Sequence, residues 1–181
     1  VDAGSATVSV TLSVVGGTLT VSSTTVGGLT SGAISGNGTS TVTLSGSQSA
    51  INATLADLTG VTYQGTLNFN GSDVLTVTTN DLGNTGAPGA LTDSDTVAIT
   101  VTAVNDGPTN TVPGAQTVNE DTALVISGIS IADVDAGSAT VSVTLSVASG
   151  TLTVSSTAVN GVTSGAISGN GTSTVTLSGS Q

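Results

Sequence analysis

The chain of 181 residues has no Lys, Arg, His, Cys, Trp or Met, and it has one Tyr and one Phe. It has 11 Asp and Glu residues, so its formal net charge at pH 7 is -11. Without cationic side chains the chain has nothing to neutralise phosphates, which argues against nucleic-acid binding, and anionic membrane surfaces repel it. Without Cys and His it has no disulfides, zinc-thiolate sites or haem ligands.

The same absences limit catalysis. The chain has 26 Ser and 35 Thr residues, but it has no His, Lys or Cys to activate a hydroxyl as a nucleophile. A two-carboxylate glycosidase mechanism is the chemistry that remains, and such sites usually include aromatic platforms for the sugar. With a single Tyr and a single Phe, the chain is not expected to be an enzyme.

The residues that are present are typical of β-strands. Hydrophobic residues make up 36% of the chain, and its mean hydropathy of +0.40 is not that of a disordered acidic tail. Val, Leu, Ile and Ala are interleaved with Thr and Ser, as in strands with one buried face. No apolar run approaches the ~18 residues needed to cross a bilayer, so we expect no membrane insertion.

The chain contains an internal repeat with a period of 133 residues. Residues 1–48 recur as residues 134–181, and 43 of the 48 positions are identical. A period of this length fits a whole domain rather than one coil of a solenoid, and the near-identity indicates a recent tandem duplication. The positions that differ are Val15/Ala148, Gly16/Ser149, Thr25/Ala158, Gly27/Asn160 and Leu29/Val162.

We expect the boundary between the two repeats at residues 104–109, where an alternating strand ends at Asn105-Asp106-Gly107 and Pro108 follows. With this phasing, residues 1–104 are the rear portion of one repeat, residues 105–106 are a linker, and residues 107–181 are the front portion of the next repeat. The front of the first repeat would be a near-copy of residues 107–133 that lies before Val1.

Alternation with period two predicts seven or so short strands per repeat, and turn residues separate them. Strands of this number and length, each with one Thr- and Ser-rich face, predict an all-β fold built as a β-sandwich. The apolar members of the predicted strands are Ala6, Val8, Val10, Leu12 and Val14; Leu19 and Val21; Val42 and Leu44; Val61 and Tyr63; Leu75 and Val77; Val97, Ile99, Val101 and Ala103; and, in the second repeat, Leu124, Ile126 and Ile129.

One stretch has the period of a helix instead. Ile51, Leu55 and Leu58 recur at i, i+4 and i+7, after Ser49 and before Gly60. This pattern predicts one short helix per repeat, with Ser49 as its N-cap.

The acidic residues are concentrated around the predicted boundary. Two carboxylates ~6 Å apart at an effective dielectric constant near 20 repel by ~3 kcal/mol, and the chain has no cation to pair with them. Carboxylate, amide and carbonyl oxygens are suitable ligands for Ca²⁺, so one interpretation of these acids is a calcium site. The alternative interpretation is a solvated acidic surface that keeps the repeat soluble. The acids nearest the boundary are Asp81, Asp93 and Asp95 before it and Asp106, Glu120, Asp121, Asp133 and Asp135 after it, and Asp2 is the copy of Asp135. Asp93 and Asp95 are expected at a solvated hairpin tip.

Four segments, in order along the period, resemble sequence elements of cadherin repeats. Asp133-Val134-Asp135-Ala136-Gly137 resembles the D-x-D-x-G element, and Val118-Asn119-Glu120 resembles the V-x-E that opens the first strand. Residues 75–81 resemble the L-x-V-x-A-x-D strand, and residues 91–106 resemble the last strand with its N-D linker. The chain is therefore similar to the cadherin-like (VCBS-like) tandem repeats of giant bacterial extracellular adhesins.

This resemblance implies a cadherin- or immunoglobulin-like Greek-key β-sandwich with Ca²⁺ bound at the junctions between repeats. The metal ligands that it implies in this chain are Asn105, Asp106, Asp133, Asp135, Glu120, Asp81 and Asp2. The first four would serve the junction at residues 105–106, Asp2 and Asp81 the preceding junction, and Glu120 the following one. Ala103 and Gly107 stand where the family has Asp and Asn, so we expect one or two ions per junction.

The function implied by the resemblance is that of a structural spacer or stalk repeat in a large adhesin or surface filament, outside the bacterial cell and at its surface. Its partners would be the neighbouring identical repeats of the same chain. The near-identity also permits a filament in which different copies complete each other's half-repeats by donating strands. The alternative function is a Ca²⁺-dependent carbohydrate-binding β-sandwich module.

Overall fold

The structure is a computed structural model that describes residues 5–84 and 87–181. The fold is all-β, as predicted: within the described residues there are twelve strands, one α-helix and two 3-10 turns at Ser31–Ala33 and Ser164–Ala166. The chain divides into two units, Val1–Val104 and Asn105–Gln181.

In its described residues, the first unit contains seven strands and the helix. Its elements are β1 (Thr7–Ser13), β2 (Gly17–Val21), β3 (Ile34–Ser35), β4 (Thr41–Ser47), α1 (Gln48–Ala56), β5 (Val61–Gly65), β6 (Gly71–Asn80) and β7 (Thr92–Val101). Five of the strands form an antiparallel sheet in the order β3-β4-β1-β6-β7, and β2 and β5 form a separate antiparallel pair. Consecutive strands β1 and β2 therefore lie in different sheets.

Strand β1 is the central strand of the larger sheet. Leu12 is opposite Val42 of β4 on one side and opposite Val77 of β6 on the other, so the three side chains lie in one row. Strands β6 and β7 have ten residues each and form a long hairpin, in which Leu75 is opposite Val97.

The core of the first unit is aliphatic and draws on both sheets and on α1. The alternation predicted from the sequence is correct for β1, β2 and β4, because every predicted apolar residue from Val8 to Leu44 in these strands is buried and the intervening Thr and Ser residues are less so. The buried hydrophobic residues of this core are Val8, Val10, Leu12, Val14, Leu19, Val21, Leu29, Val42, Leu44 and Ile51.

The predicted helix exists, but it begins earlier than expected. Its N-cap is Ser47, whose Oγ accepts the Ala50 N–H at 3.3 Å, and not Ser49. Ile51 is buried as expected, whereas Leu58 lies beyond the helix and is fully exposed. The inward face of the helix instead includes Thr54, which a search for apolar periodicity cannot find.

Thr54 links the helix to the loop that follows β2. Its side chain is fully buried, and its Oγ1 donates to the Ala50 carbonyl at 3.1 Å and accepts the Leu29 N–H at 2.8 Å. One hydroxyl therefore satisfies a buried backbone donor and is itself satisfied, as burial of a polar group requires.

The second unit contains five short strands. They are β8 (Thr109–Thr111), β9 (Ser130–Ala132), β10 (Val141–Ser146), β11 (Ile167–Ser168) and β12 (Thr174–Gly179). Strands β10, β12 and β11 form a three-stranded sheet in that order, and β8 pairs with β9. The strand predicted at Leu124, Ile126 and Ile129 is not present, since all three residues lie between β8 and β9 and are exposed.

The two copies of the repeated sequence fold alike but are not buried alike. Leu19 and its copy Leu152 make the same backbone bridge, to Thr39 and Thr172 respectively. Residues 150–154 nevertheless form no strand, because β2 is paired with β5 in the first unit and residues 105–181 include no counterpart of β5. Leu19 is completely buried, while Leu152 is only half-buried. The rear of a repeat is thus needed to bury its front.

Two of the differences between the copies have opposite structural consequences. Gly27 has φ of 74° and its counterpart Asn160 has φ of 60°, a left-handed conformation that Asn tolerates better than most residues. A Cβ at Gly16 would instead lie 2.4 Å from the Phe69 ring, although its counterpart in the second copy is Ser149.

We predict that Gly16→Ser destabilises the first unit by about 1–3 kcal/mol, because the Phe69 ring must move to admit the side chain. Gly27→Asn is the matched control, since it also converts a residue to its counterpart in the second copy but meets nothing within 4 Å. Chemical denaturation of the two variants measures the difference. Equal stabilities would contradict the packing of Phe69 against Gly16.

Candidate functional site

Hydrogen bonds to backbone N–H groups connect three of the predicted ligands at the start of the second unit. The Asp106 N–H donates to Oδ2 of Asp135. Oδ1 of Asp133 accepts the N–H groups of Asp135 at 2.9 Å and of Ala136 at 3.2 Å. These bonds connect the linker residue Asp106 to the Asp133–Gly137 turn, but within the described residues the three carboxylates do not form one cluster.

The oxygens left over are suitable for a hard cation. Among the described residues, Oδ2 of Asp133, Oδ1 of Asp135 and the carboxylate of Asp106 accept no hydrogen bond. The Asn105 Nδ2 donates to the Asp106 carbonyl at 3.0 Å, which leaves the Asn105 Oδ1 free in this part of the chain. Carboxylate and amide oxygens of this kind are the ligands that Ca²⁺ prefers, so the residues fit the predicted ion.

The seven predicted ligands belong to three different junctions, and four of them, Asn105, Asp106, Asp133 and Asp135, belong to the junction at residues 105–106. Within residues 5–84 and 87–181, no three Asp or Glu side chains converge in a way that could hold a metal ion. Glu120 is exposed, and its carbonyl accepts the Thr122 hydroxyl at 3.4 Å. Asp2 lies outside the described residues. The site therefore stays a prediction: its four ligands in this chain lie in the second unit, and the others would come from a preceding repeat and from the following stretch.

Asp81 lies in the first unit, immediately after β6, at the end of the sheet where β1 begins. Its Oδ1 accepts the N–H groups of Leu91 at 2.7 Å and Gly83 at 2.9 Å. These two bonds hold the pKa of Asp81 below its ordinary value. Asn84, in the same turn, donates to the Thr7 carbonyl at 2.5 Å, which ties the turn to the start of β1.

Asp73 is a buried carboxylate that the sequence analysis did not single out. Its Oδ1 accepts the N–H groups of Val74 at 2.8 Å and Val15 at 3.1 Å, and its Oδ2 accepts the Gly16 N–H at 2.9 Å. Burial would raise the pKa of Asp73, but the three N–H groups together outweigh it, and the pKa lies below its ordinary value. The sequence feature that indicates its burial is the alternation of β6, which places Asp73 on the same inward face as Leu75.

Both aromatic side chains lie near this carboxylate. The Phe69 ring rests on Gly16 and the Tyr63 ring on Gly17. The Tyr63 hydroxyl is buried near Asp73 without a well-formed hydrogen bond among the described residues, and burial followed by the nearby carboxylate raises the pKa of Tyr63.

Two further sets of acids have structural or surface positions. Asp57, at the end of α1, accepts the N–H and hydroxyl of Thr59 and the hydroxyl of Thr25, and these bonds lower the pKa of Asp57. Asp93 and Asp95 have exposed side chains as expected, but they lie inside β7 and not at a hairpin tip.

No protein-family model, curated protein or solved structure matches the chain. The resemblance to cadherin-like repeats therefore remains an expectation. In the part of the chain that the structure describes, no helix has the length and apolar character needed to span a membrane.

We predict that Asp73→Asn lowers the thermal unfolding midpoint by several degrees at pH 7, since Asn cannot replace a carboxylate that accepts three N–H groups. The folded-state pKa is depressed, so this stabilisation is present above the unfolded-state pKa of about 3.9 and is lost as the pH falls through the folded-state value. The difference between Asp73→Asn and the unmodified chain should therefore shrink below about pH 4. Melts from pH 7 to pH 3 measure it, and Asp95→Asn on the exposed part of β7 is the control. A constant difference across this range would contradict the role of the ionised carboxylate.

Proposed function

We propose that this chain is part of a tandem array of cadherin-like Greek-key β-sandwich repeats and that the array works as a spacer or stalk in a large extracellular protein of the bacterial surface. The all-β fold and the 133-residue period support an array of similar domains. The repeats would be each other's partners, joined end to end. The work of such an array is mechanical, and it needs no catalytic residue.

Calcium would hold consecutive repeats together at the junction. The observation that carries this proposal is the position of Asp106 next to the Asp133–Gly137 turn, in a chain that has no cation to neutralise these acids. Asn105, Asp106, Asp133 and Asp135 would supply ligands from the linker side. A residue equivalent to Asp81 in the following stretch and one equivalent to Glu120 in the preceding repeat would complete the set.

The mechanical consequence follows from the charges. Without the ion, the acids at a junction repel one another and the linker flexes, whereas a bound ion converts the repulsion into shared coordination. Dissociation constants of ~10⁻⁴–10⁻³ M are typical of extracellular calcium modules, so millimolar calcium would fill the sites. An array would thus be stiff outside the cell and flexible where calcium is scarce.

The prediction is that a chain of at least two complete 133-residue periods unfolds at higher temperature in calcium than in a chelator. One ion at 100 times its dissociation constant adds about 2.7 kcal/mol to the free energy of unfolding. Asp133→Asn with Asp135→Asn in each period should remove most of this gain. Calorimetry with and without the ion measures it.

The matched control is Asp93→Asn with Asp95→Asn, which removes the same charge at the same spacing from exposed positions on β7. This pair should leave the calcium-dependent gain intact. A midpoint that calcium does not change, or an equal loss in both double variants, would reject the junction site.

A further inference from the structure

The chain contains four Asn-Gly pairs, and this dipeptide is the one in which asparagine most readily loses its side-chain amide. Because glycine has no side chain, its backbone nitrogen can come close to the side-chain carbonyl carbon of the asparagine before it. In a folded protein, the reaction therefore depends on how firmly the asparagine side chain and the glycine nitrogen are held. The four pairs are Asn37-Gly38, Asn70-Gly71, Asn160-Gly161 and Asn170-Gly171.

The reaction is an intramolecular acyl transfer followed by hydrolysis. The glycine nitrogen gives its proton to a base in the solvent and attacks the asparagine Cγ. The new N–Cγ bond forms, the Cγ–Nδ2 bond breaks, and ammonia leaves with a proton from water. A water molecule then opens the five-membered succinimide ring at one of its two carbonyl groups, which gives an aspartyl or an isoaspartyl residue. No atom is oxidised or reduced, and both products carry one more negative charge than asparagine.

The pair Asn37-Gly38 is held by three hydrogen bonds to the residues of β2. The Asn37 Oδ1 accepts the Val21 N–H at 2.6 Å, and its Nδ2 donates to the Val21 carbonyl at 2.9 Å. The Gly38 N–H donates to the Leu19 carbonyl at 2.8 Å. Both the carbon that would be attacked and the nitrogen that would attack it are therefore fixed to another part of the chain.

The pair Asn170-Gly171 makes the same three bonds in the second copy. The Asn170 Oδ1 accepts the Val154 N–H at 2.7 Å, its Nδ2 donates to the Val154 carbonyl at 3.0 Å, and the Gly171 N–H donates to the Leu152 carbonyl at 2.8 Å. Residues 150–154 form no strand, so these bonds do not depend on the pairing of β2 with β5. They belong to the repeated sequence itself.

The pair Asn160-Gly161 is held much less firmly. Asn160 is exposed, and in the part of the chain that the structure describes its side chain forms no hydrogen bond. The Gly161 N–H donates to the Ala158 carbonyl at 3.0 Å, which is a bond within a single turn. Rotation of Asn160 toward ring closure therefore breaks one local bond, whereas Asn37 or Asn170 would have to break three bonds to distant residues.

The first unit shows that this position is open in the other copy as well. The counterpart of Asn160 is Gly27, which is exposed, and a Cβ at Gly27 would meet nothing within 4 Å. The turn is also the same, since the Gly28 N–H donates to the Thr25 carbonyl at 2.9 Å. The first unit contains β5, β6 and β7, so the exposure belongs to the turn and is not caused by the lack of these strands beside the second copy.

The pair Asn70-Gly71 is intermediate between these cases. Asn70 is exposed, and its Nδ2 makes one long bond of 3.5 Å to the Asn68 carbonyl. Gly71, however, is the first residue of β6 and lies opposite Val101 of β7. The asparagine carbonyl carbon is thus accessible, while the position of the attacking nitrogen is restricted by the strand.

We propose that Asn160 is a site of spontaneous deamidation in the folded chain, and that Asn37 and Asn170 are protected from this reaction by their bonds to Val21 and Val154. The modification gives the second copy a carboxylate at a position where the first copy has Gly27. Two almost identical copies of one sequence thereby come to differ in charge. The isoaspartyl product is the class of substrate that protein carboxyl methyltransferases take. The proposal does not rest on the calcium site or on the array.

The first test follows all four pairs by peptide mass spectrometry while the 181-residue chain is incubated in a mildly alkaline buffer. The same incubation in concentrated guanidinium chloride gives the rate of each pair without structure, so the ratio of the two rates removes the effect of neighbouring sequence. Asn37 and Asn170 should react roughly tenfold or more slowly in the folded chain than in denaturant, because their reaction requires local opening. Asn160 should react at nearly the same rate in both, and Asn70 should fall between.

The second test moves the reactive pair into the other copy. Gly27→Asn creates a new Asn-Gly pair in the same turn of the first unit, and we expect its asparagine to react as Asn160 does. Asn160→Gly is the matched reverse change, and the folded chain should then lose the larger part of the isoaspartyl groups that a carboxyl methyltransferase labels after incubation. Circular dichroism of both variants checks that they are folded.

The proposal is overturned if the rate of Asn160, relative to its rate in denaturant, is no higher than that of Asn170, or if another of the four pairs has the highest relative rate. It is also overturned if the new asparagine of the Gly27→Asn chain is as slow as Asn37, or if Asn160→Gly leaves the methyltransferase labelling unchanged.

Discussion

The structure depends on one constraint, which is that no carboxylate in the chain can be paired with a cationic side chain. In the first unit, backbone N–H groups take the place of cations. Asp73 accepts three of them, and Asp81 accepts two at the turn after β6. A charge-assisted bond to a backbone N–H is among the stronger hydrogen bonds in proteins. Asp73 and Asp81 can therefore stabilise the structure without a counter-ion. Asp106, Asp133 and Asp135 are different, because bonds to backbone N–H groups connect them, while among the described residues some of their carboxylate oxygens accept no hydrogen bond.

The two copies of the repeated sequence have the same local structure but different burial. Residues 1–48 and 134–181 form the same bridge and the same turns, so local structure is encoded in the repeated stretch itself. Burial is not, since β2 forms only where β5 is available to pair with it. Burial of the repeated stretch therefore depends on the residues that follow it in the first unit.

Much of the fold could be predicted from the sequence because period-two alternation is strong in β1, β2, β4, β6 and β7. Other features left no such signal. Strand β3 has only two residues, which is too short for a visible alternation. Ser47 and Ser49 are equally suitable N-cap residues by sequence. Thr54 is buried but polar, so a pattern of apolar residues does not include it. Asp73 lies well before the predicted boundary in the sequence, so the concentration of acids around that boundary does not point to it. The ligand set could be proposed only by resemblance, because it spans more than one unit.

The central claim is that the free carboxylates at the junction are held for a dissolved cation, while the carboxylates bound by backbone N–H groups are not. The most direct measurement is a calcium titration followed by the carbon NMR signals of the Asp side-chain carboxyls in a chain of two or more complete periods. The account predicts saturable shifts for Asp106, Asp133 and Asp135 and no shift for Asp73. An absence of shifts at those three residues, or shifts of equal size at the exposed Asp93 and Asp95, would contradict it.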